Sequence, residues 1–209
     1  MSKVLVLTSS VLGEASVSNQ LVAEAVAQLR LQDPGAEIVT RDLVGSPVPH
    51  LTPNSAAALR GGEPANAEQA AAIKLSDELI GELKAADIIV IGAPMYNFGI
   101  ASSLKAWFDY ALRAGVTFRY SEAGPEGLVL GKRAIIIETR GGFYSEGAMQ
   151  SFDSQEPHLR NLLGFIGITD VTFVRAEKLA FGPQAREQAI KAARVHIGQT
   201  VQDQLFQAA

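Results

Sequence analysis

The stretch Thr8-Ser9-Ser10-Val11-Leu12-Gly13-Glu14-Ala15-Ser16-Val17-Ser18-Asn19 is dense in hydroxyls and runs into a segment of helical period. A helix N-terminus offers unpaired N–H groups and a positive dipole end, so this segment suits an anion such as a phosphate. No Lys or Arg occurs between Lys3 and Arg30. Any phosphate here would therefore be held by N–H and O–H donors and not by counter-charges. Ordinary serine N-capping is the competing reading. A second segment, Ala93-Pro94-Met95-Tyr96-Asn97-Phe98-Gly99, crowds large apolar side chains and one amide just after an apolar run. Met95, Tyr96 and Phe98 in such a loop either fold back onto the core or cover a planar ligand or a partner subunit. A third, Thr139-Arg140-Gly141-Gly142-Phe143-Tyr144, combines a permanent cation with two glycines that let backbone approach a ligand closely. It also reads as a plain Gly-Gly turn beside a solvated arginine.

Regular elements must bring these segments together. Val- and Ile-rich runs recur at Lys3–Leu7, Glu37–Thr40, Asp87–Ile91, Arg133–Glu138 and Val171–Val174, separated by stretches of helical period. Leu21, Val22, Ala25, Val26 and Leu29 form one apolar stripe, and the period returns in Ala67–Ala85, Ala101–Arg113, Pro157–Ile166 and from Pro183 to Phe206. Pro157 and Pro183 suit first-turn positions. The expected fold is α/β: one doubly wound parallel sheet of five strands covered on both faces, with a single domain spanning residues 1–209. In such sheets ligands bind at the carboxyl ends of the strands, where the segments after the first, third and fourth runs fall. The stretch from Val44 to Asn66, punctuated by Pro47, Pro49, Pro53 and Pro64, reads as a long irregular loop. Phe118-Arg119-Tyr120 and Gly127-Leu128-Val129-Leu130 read as the arms of a hairpin before the fourth strand, serving either edge protection or a ligand.

Composition narrows the function. The chain has 209 residues, of which 47% are apolar, and 22 acidic against 18 basic side chains leave a net charge of −4. That balance argues against a nucleic-acid partner, and no apolar run approaches the roughly 20 residues of a membrane span. The start of the chain reads as the first strand of a cytosolic protein. With no cysteine, and with His50, His158 and His196 far apart, thiol and metal chemistry have no visible basis, so no metal is expected. GxGxxG is absent from the first turn, and Gly127–Lys132 lacks the P-loop spacing. A hydroxyl-rich cradle, an aromatic clamp and a Gly-rich turn together match the phosphate, the ring face and the ring edge of a flavin mononucleotide. Arg140 or the Gly-Gly amides near the pyrimidine end of the ring would then tune its potential.

Six blocks in order resemble the flavodoxin-like, FMN-dependent NADH azoreductases, also described as NADH:quinone oxidoreductases. They are Met1–Leu7 with Ser9-Ser10 and Ser16–Asn19, Ala93–Phe98, Arg113–Tyr120, Gly124–Leu128, Arg140–Gly142 and Leu163–Ile168. The resemblance implies a strand order of 2-1-3-4-5 and one tightly bound FMN per subunit. It implies FMN contacts at Ser10, Ser16, Val17, Ser18, Met95, Tyr96, Asn97, Phe98, Thr139, Arg140, Gly141 and Gly142. It further implies a cytoplasmic homodimer with a flavin site at each subunit interface, and a ping-pong cycle in which NADH reduces the flavin before a quinone or an aromatic azo compound takes the electrons. No side-chain acid, base or nucleophile is assigned. Arg60, Phe118, Phe143 and Tyr144 are the candidate substrate contacts, although Arg60 also reads as a solvated loop residue and relatives vary at 143–144. The rival from another class is a flavodoxin-type electron carrier that binds FMN without oxidising NADH. A net charge of −4 gives such a carrier little steering toward a partner.

Overall fold

The computed structural model describes residues 1–206, so the last three residues of the expected domain lie outside the described residues. The strands are β1 (Lys3–Thr8), β2 (Glu37–Asp42), β3 (Ile88–Pro94), β4 (Phe118–Ser121), β5 (Gly124–Gly127), β6 (Arg133–Thr139) and β7 (Asp170–Ala176). The helices are α1 (Val17–Gln32), α2 (Pro53–Leu59), α3 (Ala67–Ala85), α4 (Ser102–Ala111), α5 (Glu156–Phe165) and α6 (Pro183–Phe206). Five strands form one parallel sheet in the order β2-β1-β3-β6-β7, which is 2-1-3-4-5 when the sheet strands alone are counted. No helix among the described residues is long and apolar enough to cross a membrane.

The two-residue period of the strands sorts the core into two layers. Val4, Val6, Ile88, Val90, Ile135 and Ile137 pack against Leu21, Val22 and Ala25 of α1 and Ala193 and Ile197 of α6. Leu5, Leu7, Ile89, Ile91, Ala134 and Ile136 face the opposite way, onto α3, α4 and α5. Each fully buried Leu or Ile contributes on the order of 1.5–3 kcal/mol. Because β3 is buried over its whole length, it forms the spine from which the loops at its carboxyl end are hung. Trp107 and Phe108 of α4 are only 1% and 0% exposed and belong to this core.

Two expectations need correction. The irregular stretch after β2 contains α2, started by a capping box in which Thr52 and Ser55 exchange bonds (Thr52 N–H to Ser55 Oγ, 2.8 Å; Ser55 N–H to Thr52 Oγ1, 3.1 Å). Pro53 sits at its first turn, where a missing N–H costs nothing. The hairpin exists, but its second arm is Gly124–Gly127, with Phe118 opposite Gly127 and Ser121 opposite Gly124. Leu128 and Val129 have already left the ladder, their N–H groups donating to Thr117 and Ile166 carbonyls. The apolar character of Leu128–Leu130 reflects the docking of Val129 into the core, where it is 1% exposed.

Candidate active site

The loops after β1, β3 and β6 converge at the carboxyl end of the sheet. In the first, Ser16 caps α1 by accepting from the Asn19 N–H (3.2 Å), and its hydroxyl lies 2.9 Å from that of Ser18. Both serines are buried. The N–H groups of Val17 and Ser18 make no hydrogen bond among the described residues, as the first turn of a helix dictates. Asn19 Oδ1 is buried without a partner as well. Free donors beside a free acceptor fit the phosphate and the polyol of an FMN chain. Gly92 lies beneath this turn, where a Cβ would stand 3.0 Å from Val22 Cγ2, so a side chain there would require that methyl to give by a few tenths of an ångström.

The loop after β3 is a two-residue turn closed by Tyr96 N–H to Gly99 O (3.0 Å) and Gly99 N–H to Tyr96 O (3.1 Å). Its central residues, Asn97 and Phe98, have φ of +49° and +71°. Left-handed backbone at two successive residues marks a turn in which Gly is preferred, and a bulky side chain there stores roughly 1–2 kcal/mol of strain. Despite that strain the Phe98 ring is 42% exposed. It meets Tyr144 edge-on at 6.1 Å and Phe152 at 5.5 Å. Tyr96 reaches back to the first loop: its hydroxyl accepts from the Val11 N–H (3.2 Å) and stands 3.3 Å from Ser10 Oγ. A cleft of about 640 Å³, with Val11, Pro49, His50, Tyr96 and Asn97 in its wall, opens beside the turn.

In the loop after β6, the carbonyls of Arg140, Gly141 and Gly142 accept from the N–H groups of Leu179 (3.2 Å), Ala180 (3.0 Å) and Lys178 (2.7 Å). The Gly141 and Gly142 N–H groups are left without a partner among the described residues. A Cβ on Gly142 would come within 2.8 Å of the Tyr144 ring. The turn thus presents two amide donors. Thr139 joins this loop to the previous one by accepting from the Met95 N–H (2.9 Å).

Arg140 is the main departure from expectation. Its side chain is 0% exposed and is held in a nest of carboxylates, at 2.8 Å from Glu138, 3.0 Å from Asp153 and 3.2 Å from Glu177. Its own N–H donates to the Ala176 carbonyl. All three guanidinium nitrogens are already engaged, Nε by Gln155, Nη1 by Glu177 and Nη2 by Glu138 and Asp153. Burial lifts the Glu138 pKa to about 8, against the pull of Arg140 and with the nearby Glu156 and Asp153 adding to the rise. Glu177 is also held back by burial, but hydrogen bonds from the Ser145 hydroxyl and the Tyr144 N–H, together with Arg140, bring it below the usual carboxylate range.

The proposed substrate contacts divide. Tyr144 stands at the site against Phe98, whereas Phe143 packs under the Lys178 ammonium at 3.9 Å. Phe118 is not brought to these loops within the subunit; it is buried under the hairpin against Phe165 at 4.5 Å. Arg60 is exposed at the C-terminal end of α2. Phe152, Asp153, Gln155 and Glu177 went unrecognised in the sequence. Only Asp153 carried a signal, as an acidic residue three before Glu156 at a helix start, and it accepts from the Gln155 (2.9 Å) and Glu156 (3.1 Å) N–H groups.

A parallel doubly wound sheet with an anion cradle after its first strand and an aromatic turn after its third defines a flavodoxin-like α/β protein. A profile of the family described as having a flavodoxin-like fold matches residues 2–201, and the chain belongs to that family. It is 55% identical over 202 residues to the FMN-dependent NADH:quinone oxidoreductase of Hyphomonas neptunium, covering 97% of both chains. It is 51% identical over 193 residues to the protein of the same name from Ralstonia nicotianae, covering 91% of this chain and 93% of that one. Among solved structures, an azoreductase from Bacillus anthracis str. Sterne superposes with a TM-score of 0.89 at 28% identity, covering 96% of this chain and 99% of that one.

Proposed function

We propose that this protein is an FMN-dependent oxidoreductase that takes electrons from NADH and passes them to quinones or aromatic azo compounds. The observation that carries the reading is the strained, exposed Asn97–Phe98 turn set between two pairs of unpartnered amides, those of Val17 and Ser18 and those of Gly141 and Gly142. The near full-length relatives that bear the oxidoreductase name support an enzyme over an electron carrier. When bound, FMN supplies the two-electron chemistry, accepting a hydride from the donor and returning the electrons to the acceptor. The protein's task is to hold, orient and shield.

Val17, Ser16 and Ser18 would hold the phosphate through N–H and O–H donors at the positive end of α1. Gly141 and Gly142 would direct their amides at the ring edge, where donors stabilise negative charge that accumulates on reduction. Met95, Tyr96, Asn97 and Phe98 would cover a ring face. Donor and acceptor then share the remaining face in turn, which makes the cycle ping-pong. Arg140 acts in this scheme by fixing the loop and not by touching the ring.

The active form is a homodimer with a site at each subunit interface, built from one FMN-binding domain per chain. Supporting this, the loops at the carboxyl end of the sheet expose Val11 (65%), Leu12 (61%), Phe98 (42%) and Phe152 (49%), an apolar rim that a lone subunit leaves wet. A cytoplasmic location belongs to the same reading, which the use of NADH supports. The first test is the visible absorbance of the purified protein with FMN, before and after anaerobic NADH. Flavin bands that bleach with NADH and return with a quinone or an azo dye are expected. Bound flavin that NADH cannot bleach would favour the electron carrier.

A further inference from the structure

The backbone ladder between β3 and β6 stops at the Pro94–Thr139 pair and the Met95 N–H to Thr139 O bond. Beyond it, among the described residues, no backbone hydrogen bond joins the Tyr96–Gly99 turn to the Gly141-Gly142 turn. The segment from Phe152 to Gln155 bridges them, and Gln155 anchors it. Its side chain is 0% exposed, its Nε2 donates to the Ala93 carbonyl (2.7 Å) at the end of β3, and its Oε1 accepts from Arg140 Nε (2.9 Å) at the end of β6. The residues just before it grip the same turn, since the Ser154 N–H donates to the Phe98 carbonyl (3.0 Å) and the Phe152 ring packs on Phe98. Arg140 cannot swing away from the amide, because its Nη1 is committed to Glu177 and its Nη2 to Glu138 and Asp153. A buried amide with both its donor and its acceptor used in this way is a spacer of defined length, and a planar guanidinium held at all three nitrogens fixes which way it points.

We propose that Gln155, oriented by Arg140, is a positioning residue that sets the gap between the two arms gripping the flavin ring. It contributes nothing to the phosphate cradle, which is built from α1 and the loop after β1. The proposal rests on the FMN reading above. Both hydrogen bonds of the amide follow from one chemical fact: a carboxamide carries a donor and an acceptor on the same end. A protonated carboxylic acid does so too, whereas a carboxylate or a thioether does not.

The test is equilibrium binding of FMN and of riboflavin, which lacks the phosphate, to wild type, Gln155→Met and Gln155→Glu, read by quenching of flavin fluorescence, with thermal melts of the flavin-free proteins alongside. Gln155→Met is expected to weaken both ligands by about the same factor, roughly tenfold or more for two lost bonds, and to shift the bound flavin spectrum. Gln155→Glu is expected to bind near wild-type strength at acid pH, where the acid spans both partners, and to weaken as it ionises beside Ala93 O. Glu138, Arg140, Asp153, Glu156, Arg175 and Glu177 face the same spot, so the wild-type pH profile is the baseline. Because the acid form restores the bridge, Gln155→Glu remains informative if Gln155→Met fails to fold. Wild-type affinity and spectrum in Gln155→Met, a loss confined to FMN, or a Gln155→Glu profile identical to wild type would each overturn the proposal. Wild type that binds neither flavin would overturn the FMN reading itself.

Discussion

Phe98 and Glu138 show how far single residues at this site depart from what folding alone prefers. Phe98 holds a φ of +71° while presenting its ring to solvent. Replacing it by Gly removes about 1–2 kcal/mol of strain, offset by about 0.5–1 kcal/mol of added chain entropy and a lost aromatic contact of similar size. The expected outcome is denaturant stability within about 1 kcal/mol of wild type together with FMN binding weakened roughly tenfold. An unchanged Kd would remove Phe98 from the site. Glu138 is buried with Oε1 unpartnered, and its pKa rises from 4.5 to about 8 on folding. The folded protein therefore binds a proton that the unfolded chain releases between those two values. Stability from this group is complete below about pH 4.5 and is lost as pH climbs through about 8. Glu138→Gln, which imitates the protonated form, should flatten the decline in melting temperature over that range. A decline as steep as that of wild type would assign the pH dependence to another group.

Among the elements, the hairpin departs most from its sequence signal. Gly127, the last residue of β5, lies directly on the turn that follows α5, where an added Cβ would overlap the Gly167 nitrogen and the Ile166 carbonyl carbon. Backbone against backbone leaves no side chain to rotate away. Gly127→Ala should cost about 2–3 kcal/mol in denaturant unfolding and speed tryptic cleavage after the exposed Arg119 in the neighbouring strand. Loss of stability without faster cleavage would mean that the strain spreads into the core and does not detach the hairpin. Helix α2 makes the complementary point. Its Thr-Pro-Asn-Ser start is legible as a capping sequence once the helix is known, but four prolines in the surrounding stretch outweighed seven residues of helix.

For the whole molecule, cofactor binding and folding are one equilibrium. FMN at one hundred times its Kd should add about 2.7 kcal/mol, raising the melting temperature by roughly 5–10 °C for a chain of this size. Initial rates with NADH and a quinone should give parallel double-reciprocal lines, and intersecting lines would count against donor and acceptor sharing one place. Sedimentation equilibrium checks the dimer: burying the apolar rim formed by Val11, Leu12, Phe98 and Phe152 should yield twice the 22.2 kDa chain mass, whereas a monomer at micromolar concentration would leave that rim to another role.

The α/β class, the two-sided burial of β3 and a serine-capped start of α1 at Ser16 or Ser18, of which the structure takes Ser16, were legible in the sequence, because each depends on local period or on a cap a few residues away. So were the positions of the three loops, which follow from where parallel strands end. The fate of the Arg140 side chain was not legible. Its partners Asp153, Gln155 and Glu177 lie 13 to 37 residues further along the chain and meet it only when β6, β7 and α5 pack together. A cation after a strand reads as a ligand contact until the fold shows the carboxylates that surround it. Periodicity and capping are short-range properties that a chain carries with it, whereas the pairing of buried charges is decided by which strand ends become neighbours.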